Sequence, residues 1–100
     1  LAHAGQHDQA LTAAKEAVTL RRELAALNRD TYLPDLAASL WMYAHVCQVS
    51  DTENAQAIAS AREAESILAE LAAVEPAAFH GRLRAVEDLL HKLGDGTKQQ

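Results

Sequence analysis

The sequence is poor in the residues that build sheets and sharp turns. Its 100 residues hold only four aromatics (Tyr32, Trp41, Tyr43 and Phe79), four glycines and two prolines. Strands draw on β-branched and aromatic side chains, and their connections on glycine and proline, so a sheet-based fold is excluded. The single cysteine, Cys47, excludes an internal disulfide and with it the stapled scaffold of small secreted domains. No stretch of about eighteen apolar residues occurs, so no membrane-spanning helix can be drawn. Basic charge is also scarce: nine Lys and Arg against fourteen Asp and Glu leave a net charge of −5. Such a field repels phosphate backbones, which excludes nucleic acid as the main partner. These absences together lead to the expectation of a cytoplasmic protein with no membrane partner. The start at Leu1 rather than Met reads as a piece of something larger.

What is present is a helical vocabulary. Hydrophobic residues make up 49% of the chain and charged ones 23%, enough for one core and little more. Alanine and leucine dominate, and both are strong helix formers. An all-α fold is therefore expected, in a domain spanning residues 1–94 with a polar tail over 95–100.

The apolar spacing predicts four helices plus a remnant. Residues 1–4 read as the tail of a helix closed by Gly5, because glycine commonly ends helices in the left-handed conformation. From about His7 to Leu27, apolar residues recur by threes and fours at Ala10, Leu11, Ala14, Ala17, Val18, Leu24 and Leu27. Lys15, Glu16, Arg22 and Glu23 fall on the other side and read as a solvated face. Asn28 to Thr31 reads as a turn, and a second helix is expected near Pro34, since proline suits a first helical position. Its run Leu40-Trp41-Met42-Tyr43 places large side chains in four directions, which predicts a central helix covered on several sides. Ser50-Asp51-Thr52-Glu53 fits a capping box and predicts the start of the third helix. That helix carries an apolar stripe of Ile58, Ala61, Ala64, Ile67 or Leu68, Leu71 and Val74. A fourth, after Pro76, places Phe79, Leu83, Val86, Leu90 and Leu93 on one side and ends at Gly94.

Self-comparison adds an internal repeat. An offset of 47 residues lays Glu16-Ala17 over Glu63-Ala64 and Glu23-Leu24-Ala25-Ala26 over Glu70-Leu71-Ala72-Ala73. The same offset brings Leu20 over Ile67, Tyr32 over Phe79 and Leu36 over Leu83, without gaps. Periods of this length signal stacked helical hairpins, each unable to bury its faces alone.

Gly5-Gln6-His7-Asp8-Gln9-Ala10-Leu11, Glu16-Ala17-Val18, Arg22-Glu23-Leu24-Ala25 and Tyr32-Leu33-Pro34-Asp35-Leu36-Ala37-Ala38-Ser39-Leu40 resemble the tetratricopeptide repeat family, in the long-repeat form of actinobacterial multi-repeat proteins. The second repeat departs from that pattern, with Thr52 where Gly5 stands, Gly81 for Pro34 and Arg84 for Ala37. The resemblance implies an α-solenoid of antiparallel hairpins. It also implies a groove, lined by the helices after Pro34 and after Phe79, that takes a peptide or a partner helix. Groove positions expected on this basis are Asp35, Ser39, Met42 and Val46 on one helix, and His80, Arg84, Glu87 and His91 on the other. Family members often carry paired asparagines where Trp41-Met42 stands here, and the substitution argues for apolar contact rather than carboxylate clamping. Trp41 has two readings, a core side chain or an interface anchor.

Chemistry-bearing patterns are weak. His3 and His7 are four apart, yet Gly5 interrupts them and no metalloprotease glutamate lies between. Asp88 and His91 have the spacing of half a di-iron motif, without the other half. Cys47 falls on an apolar helix side and reads as an inert buried thiol. No phosphate loop, nucleophile elbow or carboxylate pair occurs. The expected function is non-catalytic, with no cofactor and no metal: a protein or peptide interaction module or scaffold segment. The alternative is a structural segment that forms a homodimer through Trp41 and Met42.

Overall fold

The computed structural model describes the backbone of residues 2–94 and the side chains of residues 8–94. The protein is all-α, with α1 at Ala2–Leu27, α2 at Arg29–Ser50, α3 at Asn54–Val74 and α4 at Pro76–Lys92. Each helix packs on the next, and α2 also touches α4. Extents of 44 × 36 × 19 Å describe a slab about two helix diameters thick, as stacked antiparallel hairpins require. The expected tail, 95–100, lies outside the described residues.

Small residues set the spacing. Ala37, Ala44, Ala57, Ala61 and Ala64 have no exposed surface at all. With only a methyl group at each crossing, the helix axes come close enough for Leu33, Leu36, Leu40, Tyr43 and Cys47 of α2 to fill the space between neighbours. The central position expected for α2 is thus observed. Of its four bulky residues, Leu40 and Tyr43 are buried, Trp41 is partly covered and Met42 is 47% exposed.

The connections differ from expectation. Gly5 does not end a helix: α1 runs through it without a break, and Gly94 is the only described glycine with positive φ. Gly5 falls in the first turn, and even the interior cost of glycine relative to alanine, about 1 kcal/mol, is one that a helix of 26 residues tolerates. The second helix starts five residues before Pro34, because Asn28 acts as its cap and its Oδ1 accepts from the Thr31 N–H at 3.2 Å. Pro34 then falls inside the helix, where it removes one N–H donor near the exposed first turns. Asn28 alone joins α1 to α2, and Glu75 alone joins α3 to α4.

The capping box at Ser50 does not form. Ser50 is the last residue of α2, and its Oγ donates to the Val46 carbonyl at 2.7 Å. Asp51 adopts φ 55°, while the N–H groups of Asp51 and Thr52 donate to the carbonyls of Gln48 and Cys47, the glycine-type helix stop with aspartate in its place. Glu53 is also left-handed, at φ 50°, and caps α3 without any side-chain bond to it. Its carboxylate is engaged elsewhere: Tyr43 Oη donates to Oε1 at 2.5 Å and Lys15 Nζ to Oε2 at 3.0 Å. A glutamate in a backbone region it rarely visits is thus held from both α1 and α2.

Two other expectations change. Ala10, Leu27 and Val74, placed in the apolar stripes, are exposed, the last two at 84% and 80%. Lys15 and Arg22 are not simply a solvated face. Arg22 forks onto Glu63 at 2.7 and 3.0 Å, and Arg29 onto Glu70 at 2.8 and 3.0 Å. With Lys15 on Glu53, basic residues seven apart climb one side while their acidic partners climb the other in the same direction. This places α1 parallel to α3, as alternating hairpins demand.

Candidate groove between the second and fourth helices

Where α2 and α4 diverge over α3, a groove of about 290 Å³ opens, lined chiefly by Trp41 and Met42 of α2, Leu68 of α3, and Arg82, Ala85 and Val86 of α4. Its origin is local. Ala38 and Ala85 are exposed positions on their helices and present only methyl groups, so the gap between them is left unfilled. The volume sits at the low end of the ~300–1,000 Å³ of small-molecule sites and suits individual side chains of a partner chain.

Trp41 forms one wall. Its ring stacks on His45, one turn further along α2, with centroids 4.9 Å apart and planes 6° from parallel. The indole Nε1–H is buried and has no acceptor. A buried donor without a partner costs about 1–3 kcal/mol, so this N–H is unusual in an otherwise apolar wall. Arg82 sits at the rim with its guanidinium 5.8 Å from the centre of the Phe79 ring. It makes no ion pair among the described residues, while Met42 leaves its flexible thioether partly open to solvent.

The residues singled out from the sequence divide into four groups. Trp41 and Met42 line this groove. Asp35, Ser39 and Met42 line a neighbouring depression against Ala14, Ala17 and Arg21 of α1, in which Ser39 is buried and Asp35 exposed. Val46 is partly buried. His80, Arg84, Glu87 and His91 are exposed on α4 but do not line the groove, which uses Arg82, Ala85 and Val86 of that helix. Arg82 was missed because repeat alignment alone does not say how α4 is rotated. The cation–π spacing of Phe79 and Arg82, three apart on one helix, was the available signal.

Nothing else gathers reactive groups. Cys47 is a free, buried thiol, pushed up from its ordinary pKa chiefly by burial. The Tyr43 hydroxyl is raised, first by burial and then by its bond to Glu53, whose carboxyl is lowered in turn by Tyr43 and Lys15. This trio ties the α2–α3 turn to α1, and its Lys15 and Tyr43 also line an open depression of about 290 Å³ with Val18, Thr19, Arg22, Leu40 and Ser60. Among the described residues no group of three or more His, Cys, Asp and Glu is placed to hold a metal ion. His3 and His7 lie outside the described side chains, and Asp88 and His91 are exposed on α4. No described helix is long and apolar enough to cross a membrane.

No family model, no curated protein and no solved structure matches the chain.

Proposed function

We propose that the chain is a non-catalytic protein–protein interaction module of the tetratricopeptide-repeat type, a scaffold segment of a larger cytoplasmic protein that binds a peptide or helix in the groove between α2 and α4. The observation that carries this reading is the Trp41 wall. A half-open apolar groove walled by Trp41 matches a segment that inserts an apolar side chain, and a small displacement of the ring on binding would bring its buried, unpartnered N–H to a carbonyl or carboxylate of that segment. The unpaired Arg82 at the rim favours an acidic residue next to that anchor. The hairpin stack supports the same reading by holding α2 and α4 as rigid walls.

The test is selection from a displayed random-peptide library against the purified chain, followed by binding to Ala85→Arg. Ala85 lines the groove and is exposed, so arginine there fills the groove and leaves the core alone. Selected peptides with an apolar anchor that bind the native chain and not Ala85→Arg, at unchanged helical circular dichroism, support the reading. Peptides indifferent to Ala85→Arg contradict it.

The second reading, a homodimer through Trp41 and Met42, draws on the 47% exposure of Met42 beside the same groove. A stable monomer in sedimentation at low micromolar concentration eliminates it.

A further inference from the structure

The two ends of the stack are chemically different. Under the offset of 47 residues, α3 answers to α1 and α4 to α2. On α3 the stripe Ala57, Ala64 and Ile67 is buried at 0%, 0% and 8% exposure. Beside it, Glu63 and Glu70 accept from Arg22 and Arg29 of the preceding hairpin. Their counterparts on α1 are Ala10, Ala17 and Leu20, and Glu16 and Glu23. Here they are less covered, with Ala17 only partly buried, against α2. Ala10 is exposed, Leu20 is 55% exposed, and neither Glu16 nor Glu23 has an ion-pair partner among the described residues. The same surface is therefore complete once inside the molecule and left open at α1.

The other end reverses this. The α2 stripe Leu33, Ala37, Leu40 and Ala44 is buried at 7%, 0%, 1% and 0% exposure. On α4 the corresponding positions are His80, Arg84, Glu87 and His91, all exposed. Of the ladder's basic residues only Lys15 has a basic counterpart, Arg62, while Arg22 and Arg29 answer to Ala69 and Pro76, which cannot extend it. A polar outer face is what ends a solenoid in water.

We infer that α1 is a docking surface for one further helical hairpin and that α4 closes the stack. The occupant packs an antiparallel apolar helix on Ala10, Ala17, Leu20 and Leu24 and brings basic residues seven apart to Glu16 and Glu23, as Arg22 and Arg29 meet Glu63 and Glu70. Charge selects it. A second copy paired antiparallel through α1 would bring Glu16 of one chain towards Glu23 of the other, and α4 of a second copy presents a polar stripe instead of an apolar one. This inference is independent of what the α2–α4 groove binds.

The test uses the full chain with residues 7–53 repeated once in tandem, so that an extra hairpin of known composition precedes α1 in register. Thermal unfolding is expected as a single transition with Tm raised by about 5 °C or more. Leu20→Glu in the receiving helix removes the gain, while the same change in the 100-residue chain leaves Tm within about 2 °C, as exposed positions usually do. Residues 54–94 appended after Gln100, in the same register, give no gain. An extra hairpin that unfolds separately, adds no stability or prevents folding overturns the inference. So does an equal gain from the C-terminal addition, or a dimer of the unmodified chain that Leu20→Glu dissociates.

Discussion

Arg22 on α1 and Glu63 on α3 are 41 residues apart in the chain and meet in a two-pronged ion pair, with both guanidinium nitrogens on the two carboxylate oxygens. The pair spans helices that are not adjacent in sequence, and with Lys15–Glu53, just ahead of α3, it fixes their relative direction. Its energetic role is modest, because the side chains are 53% and 38% exposed. A double-mutant cycle of Arg22→Ala and Glu63→Ala is expected to give a coupling of about 0.5 kcal/mol that fades in 1 M salt. A coupling that persists undiminished in salt would contradict this surface role.

Alanine spacing carries far more of the stability. Leu40 is 1% exposed between small-residue crossings, so Leu40→Ala should cost about 2–5 kcal/mol in urea unfolding. Ala61 is wholly buried where helices approach, and Ala61→Leu should cost about 1–3 kcal/mol by overpacking. If Ala61→Leu is neutral, the helices are not as close there as described.

Much of the fold was legible for this reason. Alanines and leucines at helical spacing specify both the helices and how closely they cross, and short polar breaks separate them. What was illegible were features in which one residue type serves opposite ends. Ser50, Asp51 and Glu53 suit the start of a helix as a motif, yet Tyr43 and Lys15, distant in sequence, draw the Glu53 carboxylate away from that role. Asn28 caps a helix that the sequence pattern alone starts at Pro34. In the groove, Trp41 and Met42 stood out as bulky residues on an already apolar helix. Arg82 depended on the rotation of α4, which only packing determines.

Acid should weaken the fold through two glutamates. Tyr43 and Lys15 hold the Glu53 carboxyl below its ordinary value, and Arg29 does the same for Glu70. A lowered folded-state pKa means that the unfolded chain binds protons first. The contribution is thus complete above the usual glutamate value of about 4.3 and is lost as pH falls through the lower folded values. Unfolding free energy should drop below about pH 5, and the drop should be shallower in the Glu53→Gln/Glu70→Gln double variant. Parallel pH curves for the two proteins would show that these bonds do not favour the charged forms.

The indole N–H of Trp41 makes no favourable contribution to the folded chain by itself. Trp41→Phe keeps an aromatic ring beside His45 and deletes the unpartnered donor. Stability should therefore hold or rise, within about 1 kcal/mol, whereas binding of selected peptides should weaken. A large loss of stability would mean that the indole nitrogen has a structural partner after all.

Trp41 is the only tryptophan, so a ¹⁵N-labelled chain shows a single indole N–H resonance, and titrating it with a groove-selected peptide tests the proposed function most directly. This resonance is expected to move downfield and to exchange more slowly with solvent as the N–H gains an acceptor, and to do neither in Ala85→Arg. A peptide that binds and shifts backbone resonances elsewhere while the Trp41 indole stays in place would contradict it.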